Sequence, residues 1–241
     1  MLPCVILAGG LATRMRPHTD DTPKALLPVN GVPFADIQLS WLRRQGVTEV
    51  VYCIAHLGEQ IVDHVGDGSR WGVRVRYSDE GADRLGTGGA LRLAAERRLL
   101  ADEVFVLYGD SYLQVDLREV AVAFRVCRRP ALMTVYHNIT ALERCNVRYY
   151  DGEVDLYQKG VDDPTALGMF HVDYGLQVYR RQLLTEHIPA DAAFDLSDLQ
   201  HALSVEGRMA GFEVRERFFE IGSPLGLAAL EAHLDRRMTT A

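Results

Sequence analysis

The chain has 241 residues, of which 48% are hydrophobic and 24% are charged. These proportions are typical of a globular protein and exclude a disordered, collagenous or fibrous chain. A chain of this length can bury a large core without disulfides or a structural metal. The net charge of -7 argues against a general nucleic-acid or anionic-membrane binder, because such proteins need a basic surface.

Strands and helices alternate through the first 130 residues. The predicted strands are short, mostly apolar runs that cover 4–8, 49–54, 73–77 and 103–108. The predicted helices have apolar residues at helical spacing or a glycine-rich start, and cover 34–45, 58–65 and about 88–100. This order predicts an α/β fold with a largely parallel sheet and helices on both faces. Ligands of such sheets bind at the carboxyl ends of the strands.

The pattern changes to antiparallel β structure after residue 130. Strand-like runs cover 131–138, 146–159 and 169–179. Asp151 and Gly152 lie between two alternating runs and predict a tight hairpin. Two further helices are predicted at 195–205 and 224–238. The second of these has Ser223 as its N-cap and Pro224 at its first position.

Cysteine usage and hydropathy bear on the compartment. The four cysteines are far apart and form no CxxC pair, which favours buried free thiols in a reducing cytosol. The apolar stretch at the N-terminus is too short to span a bilayer and indicates a buried strand. We therefore expect a cytoplasmic protein without a transmembrane segment.

Two lysines stand out in this arginine-rich chain. Lys24 and Lys159 are its only lysines, and the other 24 basic residues are arginines. A site that needs a compact ammonium group cannot accept the planar guanidinium fork of arginine. Both lysines are therefore candidates for a functional site.

The segment after the first strand has the composition of an anion-binding loop. Residues 7–29 read LAGGLATRMRPHTDDTPKALLPV. The paired glycines Gly9 and Gly10 let backbone N–H groups approach a phosphate closely. Arg14 can place its fork on phosphate oxygens, and Lys24 can reach the same anion from the far side of the loop. The segment is neither a Walker A loop nor a GxGxxG fingerprint.

This segment resembles the signature G-G-x-x-T-R-x-x-P…P-K of the sugar-1-phosphate nucleotidyltransferases. The sequences LGTGGAL, GD, YQKG, DYG and EIGSP follow in that family's order, so the resemblance spans nearly the whole chain. It looks most like the mannose- or heptose-1-phosphate guanylyltransferase-like branch. The resemblance implies a Rossmann-like (GT-A-like), mostly parallel mixed sheet flanked by helices, with added antiparallel structure in the acceptor half. No Pro/Ser-rich linker or shift in composition divides the chain, so we expect one domain over 1–241, with a nucleotide-binding half (1–130), an acceptor-binding half (131–222) and a C-terminal helix (223–241).

The implied reaction transfers a nucleoside monophosphate from a nucleoside triphosphate, with GTP favoured, to a heptose- or mannose-type sugar 1-phosphate, releasing pyrophosphate. Mg²⁺ is the implied cofactor, held by Asp110 and Glu220, although the family usually has Asp at the second position. Arg14, Lys24 and Asp110 are the implied catalytic residues. Arg14 would hold the leaving phosphates, and Lys24 and Lys159 would hold the acceptor phosphate.

The resemblance also implies a nucleotide-binding set. Its members are Leu7, Ala8, Gly9, Gly10, Glu80, Gly86 and Thr87. The loop that opens the helix at Gly86 and Thr87 would lie over the base, and the helix N-terminus could meet phosphates. Glu80 could accept from guanine N1–H and its exocyclic amine, or could be a surface carboxylate. Ala12 replaces a frequent glycine, so we expect its backbone to do without a positive φ.

The implied acceptor-binding set is Asn146, Lys159, Asp173 and Gly175. The family usually has Asn where this chain has Asp173. A carboxylate accepts hydrogen bonds from hydroxyls but cannot donate as an amide can. This difference leaves the identity of the sugar open.

Three alternatives remain at this point. The nucleotide could be CTP, UTP or dTTP, or the acceptor a phosphorylated compound other than a hexose. The GDS sequence with a later D-x-x-H also resembles a GDSL-type hydrolase, with Ser111, Asp198 and His201 as its triad. A non-catalytic nucleotide-sensing subunit is the third. The expected partners are a nucleoside triphosphate and a sugar 1-phosphate, with no nucleic acid or membrane. The chain is expected to be a monomer or small homo-oligomer.

Overall fold

The computed structural model describes residues 1–139, 144–190 and 192–239, without the side chains of 237–239. The strands are β1 (Cys4–Leu7), β2 (Pro28–Val29), β3 (Val32–Pro33), β4 (Glu49–Ile54), β5 (Arg74–Asp79), β6 (Glu103–Tyr108), β7 (Ser111–Tyr112), β8 (Ala131–His137), β9 (Val147–Tyr150), β10 (Glu153–Tyr157), β11 (His171–Arg180), β12 (Met209–Val214) and β13 (Phe219–Glu220). The helices are α1 (Phe34–Arg44), α2 (Gly58–Val65), α3 (Gly86–Glu96), α4 (Leu117–Cys127), α5 (Arg181–His187), α6 (Leu196–Val205) and α7 (Pro224–Thr239).

The main sheet joins both halves of the chain. Among the described residues it has nine strands in the order β5-β4-β1-β6-β11-β8-β12-β10-β9. The strands from β5 to β6 pair in parallel. Strand β11 lies antiparallel between β6 and β8, while β12 is parallel to β8. The predicted mixed α/β sheet, parallel in its first part with antiparallel strands added later, is confirmed.

The hydrophobic core lies on both faces of this sheet because strand residues alternate between the faces. In β1, Cys4 and Ile6 pack with helices α1, α2 and α4, while Val5 packs with α3, α5 and α6. All three side chains are fully buried. The four cysteines lie in the described part of the chain and are free thiols, but only Cys4 and Cys53 are buried.

A smaller third cluster lies under the C-terminal helix. It joins α7 to the two-stranded sheet of β7 and β13, and includes Tyr112, Phe219, Ile221 and Leu230. Helix α7 begins at Pro224 as predicted, and the Gly226 backbone N–H donates to Ser223 Oγ at 3.1 Å. This cluster fixes the position of β13, which carries one of the candidate metal ligands.

The predicted hairpin is confirmed, and several element ends differ from the prediction. Asp151 and Gly152 join β9 to β10 with φ of 48° and 85°, the two positive values that a type I′ turn requires. Helix α3 covers 86–96 rather than about 88–100, and Arg98 just beyond it has a φ of 56°. Strand β5 starts one residue later than predicted and runs two residues further.

Helices α4 and α5 are absent from the sequence prediction. Helix α4 has a side-chain cap, because Asp116 Oδ1 accepts from the Arg118 backbone N–H at 2.7 Å. This N-cap was a usable signal.

In the described part of the chain, no helix is long and apolar enough to span a lipid bilayer.

Candidate active site

A cleft of about 580 Å³ opens where β1 and β6 end, beside the middle of the antiparallel strand β11. Every residue of the implied catalytic, nucleotide-binding, acceptor-binding and metal-binding sets lines it. These are Leu7, Ala8, Gly9, Gly10, Arg14, Lys24, Glu80, Gly86, Thr87, Asp110, Asn146, Lys159, Asp173, Gly175 and Glu220. The structure therefore brings together residues from most of the length of the chain.

The glycine loop after β1 contradicts one expectation. Ala12 adopts a left-handed conformation, with φ 51° and ψ 35°, although we expected no positive φ there. Such a conformation costs a residue with a Cβ about 1–2 kcal/mol. Two hydrogen bonds to the Ala12 carbonyl offset this cost, one from Met15 N and one from Thr19 Oγ1, both at 2.9 Å. The short helical turn that follows presents Arg14, whose side chain is 68% exposed.

The two candidate metal ligands come together from distant parts of the chain. Asp110 follows β6, and Glu220 lies on β13, which pairs with β7 next to Asp110. The Ile221 backbone N–H donates to the Asp110 carbonyl at 2.9 Å. A Cβ on Gly222 would lie 2.8 Å from Glu220 Oε2 and 3.2 Å from Asp110 Oδ2. The two carboxylate oxygens are therefore at most about 6 Å apart.

Two cationic side chains lie against this carboxylate pair. Lys24 Nζ is 2.9 Å from Asp110 Oδ2, and both side chains are mostly buried. Arg14 Nη2 is 4.0 Å from Glu220 Oε2, at the edge of ion-pair distance. Lys24 lies in a short helical turn directly after Pro23, which has an extended backbone. Two carboxylates and two cationic groups therefore lie side by side in this part of the cleft.

The second lysine lies on the acceptor side of the same cleft. Lys159 follows β10, is 53% exposed and has its Nζ 3.9 Å from Asp195 Oδ1. Asp195 caps helix α6 through the Ser197 backbone N–H at 2.9 Å. The Lys159 ammonium is thus held loosely at this distance and stays accessible to a ligand.

The glycine-rich start of α3 is tied to the segment before α6. The backbone N–H groups of Gly88 and Gly89 both donate to the Phe194 carbonyl, at 2.9 and 3.1 Å. Thr87 Oγ1 donates to Asp195 Oδ1 and accepts from the Leu196 backbone N–H. The N–H donors of Gly88 and Gly89 are thus engaged within the protein, and the expectation that this helix N-terminus could meet phosphates stays a prediction.

Glu80 lies at the cleft rather than on the open surface. It is half-buried, and its Oε2 accepts from the Leu85 backbone N–H at 2.9 Å. Its Oε1 lies 3.0 Å from the position a Cβ on Gly9 would occupy. Burial raises the pKa of the Glu80 carboxyl. One oxygen therefore orders the loop before α3, and the other lies next to the glycine loop.

Asp173 is surrounded by donors from the protein itself. Its Oδ1 accepts from Gly175 N at 2.9 Å and from Gln177 Nε2 at 2.8 Å. Its Oδ2 accepts from Tyr108 Oη at 3.1 Å, while its backbone N–H donates to Asn146 Oδ1 at 3.0 Å. Burial raises the pKa of Asp173 in spite of these hydrogen bonds. The carboxylate thus joins β6 and β11 at the floor of the cleft.

Arg84, Arg144 and Tyr108 also line the cleft but were not predicted. Arg84 directly precedes the LGTGGAL segment, which was a usable signal. Arg144 donates to the Asp162 carbonyl at 3.0 Å. Because arginine is so common in this chain, composition alone could not single out either residue.

The structure does not assemble the triad of a GDSL-type hydrolase. His201 Nδ1 lies 2.8 Å from the Tyr157 carbonyl, where a triad places a carboxylate. Ser111 is buried on β7, and within the described residues no hydrogen bond joins it to His201 or Asp198. The alternative based on these three residues is therefore wrong.

Comparison with known proteins identifies the family that the sequence motifs indicate. The Nucleotidyl transferase family model matches residues 4–142. N-acetylmuramate alpha-1-phosphate uridylyltransferase from Neisseria meningitidis is 45% identical over 113 residues, which are 46% of this chain and 48% of that protein. D-glycero-alpha-D-manno-heptose 1-phosphate guanylyltransferase from Campylobacter jejuni is 34% identical over 48% of this chain and 51% of that protein. The aligned regions thus span about half the length of these curated relatives.

The structural similarity to known proteins covers more of this chain than the sequence alignments do. The crystal structure of HddC from Yersinia pseudotuberculosis superposes with a TM-score of 0.79 at 22% identity, covering 97% of this chain and 100% of that chain. This likeness confirms the Rossmann-like (GT-A-like) sheet over nearly the whole chain. The matching family model, together with the cleft that unites the signature residues, shows that this chain belongs to the nucleotidyl transferase family.

Proposed function

We propose that the protein transfers a nucleoside monophosphate from a nucleoside triphosphate to a sugar 1-phosphate and releases pyrophosphate. The observation that supports this most is the convergence of Asp110 and Glu220 around Gly222, with Lys24 on the Asp110 carboxylate. The reaction joins two anionic ligands, so it needs positive charge at both the attacking and the leaving oxygens. The cleft supplies cationic side chains for this purpose in a chain of net charge -7.

Enzymes of this family generally use a divalent metal ion, and the residues of the cleft fit Mg²⁺. Mg²⁺ binds through one or two carboxylates together with phosphate oxygens and waters. Asp110 and Glu220 offer oxygen donors no more than about 6 Å apart, and we propose them as its ligands. When bound, the ion would neutralise phosphate charge and help align the two substrates.

The side chains of the cleft divide the remaining work. Lys24 lies beside Asp110 and would contact the α-phosphate and the acceptor phosphate. Lys159, across the cleft, would orient the acceptor phosphate from its other side. Arg14, exposed on the glycine loop, would place its guanidinium on the β- and γ-phosphates and follow the leaving pyrophosphate. With these roles, the acceptor phosphate attacks the α-phosphate directly in an in-line displacement, and no covalent intermediate forms on the protein.

We propose GTP as the nucleotide. Glu80 Oε2 is engaged by Leu85, while Oε1 is directed toward the glycine loop. A guanine edge offers two neighbouring donors, N1–H and the exocyclic amine, to a carboxylate that only accepts. Uracil and thymine offer one donor between two carbonyl oxygens, which a carboxylate would repel. The heptose 1-phosphate guanylyltransferase relative supports this choice, and the uridylyltransferase relative supports UTP as the second candidate.

The test is a pyrophosphate-release screen of GTP, UTP, CTP and dTTP against heptose, mannose, glucose and N-acetylmuramate 1-phosphates with Mg²⁺. We expect release with GTP and a heptose- or mannose-type acceptor, and none from the Asp110→Asn variant. Release with UTP alone would contradict the role of Glu80. Binding of nucleotide without release from any pair would support the non-catalytic sensing subunit instead.

The other expectations from the sequence stay predictions. They are the division into a nucleotide-binding half (1–130), an acceptor-binding half (131–222) and a C-terminal helix (223–241), the monomer or small homo-oligomer, and the cytoplasmic location. Gel filtration with light scattering measures the oligomeric state directly. A non-hexose phosphorylated acceptor is tested by extending the screen to phosphorylated alcohols.

A further inference from the structure

Outside the cleft, two histidines and a glutamate lie together on neighbouring strands of the sheet. His137 ends β8, His171 begins β11, and the two are direct partners in the antiparallel register. Glu213 on β12 pairs with Val135, two residues before His137, so its side chain shares their face of the sheet. The cluster is therefore fixed by the registers of three adjacent strands.

The spacing of these side chains is that of a metal site. One ligand atom from each residue can be chosen so that all lie within 4.8 Å of one another. His171 Nε2 and Glu213 Oε1 are 3.4 Å apart. Two ligands on a tetrahedral zinc ion are separated by about 3.3 Å, given metal–ligand distances of about 2.0–2.1 Å. The distances to His137 are within 4.8 Å, and its side chain is exposed at the end of β8, where a change of rotamer would bring a ring nitrogen toward a shared ion.

The surroundings hold one ligand still and leave the others accessible. The His171 side chain is only 12% exposed, whereas that of Glu213 is 40% exposed. The Tyr149 ring contacts the His171 imidazole edge-on and helps to hold it. The His137 ring stacks on His171 with centroids 4.9 Å apart, and it would have to turn out of this stack to share an ion, because the lone pairs of parallel imidazoles do not converge.

We propose that His137, His171 and Glu213 bind a divalent transition-metal ion of the Zn²⁺ type, with three protein ligands and a fourth position open to solvent. Two imidazoles and a carboxylate suit Zn²⁺, Co²⁺ or Ni²⁺, whereas Mg²⁺ prefers oxygen ligands. None of the three residues lines the cleft, so the site is separate from the proposed Mg²⁺ ligands. The bound ion would cross-link β8, β11 and β12.

The proposed metal site lies next to the acceptor side of the cleft, and a bound ion would stabilise the folded chain. The His171 carbonyl accepts from the Asn146 backbone N–H at 3.0 Å, and Asn146 lines the cleft. A metal ion that binds only the folded chain stabilises it by mass action. We therefore expect Zn²⁺ to raise the unfolding temperature of the protein.

The test is a titration of the full chain with Co²⁺ and Zn²⁺ in a large excess of Mg²⁺, followed by calorimetry and by the visible spectrum of Co²⁺. We expect one equivalent to bind. Affinity should fall at least about tenfold in His137→Ala and in Glu213→Gln, because even outer partners of metal ligands contribute 10–100-fold. These two exposed positions are chosen because replacing the more buried His171 risks the fold.

Two controls separate this site from others in the chain. His18→Ala removes an exposed histidine elsewhere, and Asp110→Asn removes a proposed Mg²⁺ ligand; both should bind Zn²⁺ as the wild type does. The proposal is overturned by the absence of saturable binding, by unchanged affinity in His137→Ala and Glu213→Gln, or by loss of binding in Asp110→Asn. A thiolate-to-cobalt charge-transfer band would likewise overturn it, by placing the ion on a cysteine such as Cys145.

Discussion

At the residue scale, the two lysines show how composition can point to chemistry. Lys24 and Lys159 are the only lysines in this arginine-rich chain, and the structure places both in one cleft. Lysine presents a compact point charge, whereas arginine presents a planar fork with fixed donor directions. The position of a phosphate bound between two such groups would depend on their size as well as their charge.

Lys159→Arg is therefore expected to lose activity although it keeps the charge. The longer guanidinium would displace the acceptor phosphate, and a misplacement of about 1 Å can cost on the order of a hundredfold in rate. The measurement is kcat/KM for the acceptor from initial rates of pyrophosphate release. Arg125→Lys, an exposed position on α4, is the control and should stay near wild type. Near-normal kinetics of Lys159→Arg would contradict the requirement for an ammonium group.

Asp173 gives a prediction about pH and stability. Burial raises the pKa of this carboxyl in the folded state. The folded chain then binds its proton more tightly than the unfolded chain does, so stability from this group is lost as pH rises through the folded-state pKa. An asparagine side chain at this position would not titrate, and its amide oxygen could still accept from Gly175 N and Gln177 Nε2.

We therefore expect Asp173→Asn to unfold at a higher temperature than the wild type at neutral pH, with the difference shrinking toward acid pH. Thermal unfolding followed by circular dichroism between acid and neutral pH measures this. A variant that is less stable than the wild type at every pH would show that the carboxylate contributes more through its hydrogen bonds than burial costs it.

At the scale of elements, short segments between the large ones make the site. β7 and β13 have two residues each, too few to be recognised from periodicity, yet their pairing places Glu220 next to Asp110. Gly222 then leaves the space in which both carboxylates and the Arg14 guanidinium meet. The sequence identifies this glycine only through the EIGSP segment, because its reason is spatial.

Gly222→Ala should disturb the site while leaving the fold intact. The new Cβ would lie 2.8 to 3.2 Å from the ends of Glu220, Arg14 and Asp110. These flexible ends can move aside, so the unfolding temperature should change little. We expect roughly tenfold lower activity and a higher Mg²⁺ concentration for half-maximal rate, since the displaced ligands no longer match the ion. An unchanged Mg²⁺ dependence would show that the two carboxylates do not act together.

At the scale of the whole molecule, helix α7 packs against the strand that carries Glu220, although the helix itself lies outside the cleft. Leu230 is fully buried in the cluster that holds Phe219 and Ile221 on either side of Glu220. The packing of this helix therefore fixes a segment of the cleft from outside it. Leu225 lies on the same helix but is 85% exposed, which provides a matched comparison.

Leu230→Ala is expected to lower the free energy of unfolding by about 2–5 kcal/mol, the usual cost of a cavity left by a buried leucine. Leu225→Ala should change it by less than about 0.5 kcal/mol. Urea unfolding at equilibrium measures both. Equal effects of the two substitutions would show that α7 is not packed on β13 as described.

The sequence by itself determined most of the alternating strands and helices of the first half, the Asp151–Gly152 turn and, through its family signature, most of the charged side chains around the cleft. These features depend on local periodicity, on residues suited to positive φ and on a signature with fixed residue types. The tertiary structure alone decided that β11 lies between β6 and β8. It also decided that Ala12 takes a left-handed φ and that Asp173 accepts from Tyr108. Local periodicity shows which face of an element is buried but not which distant element covers it. Hydrogen-bond partners and strand neighbours therefore exist only once the whole chain has packed.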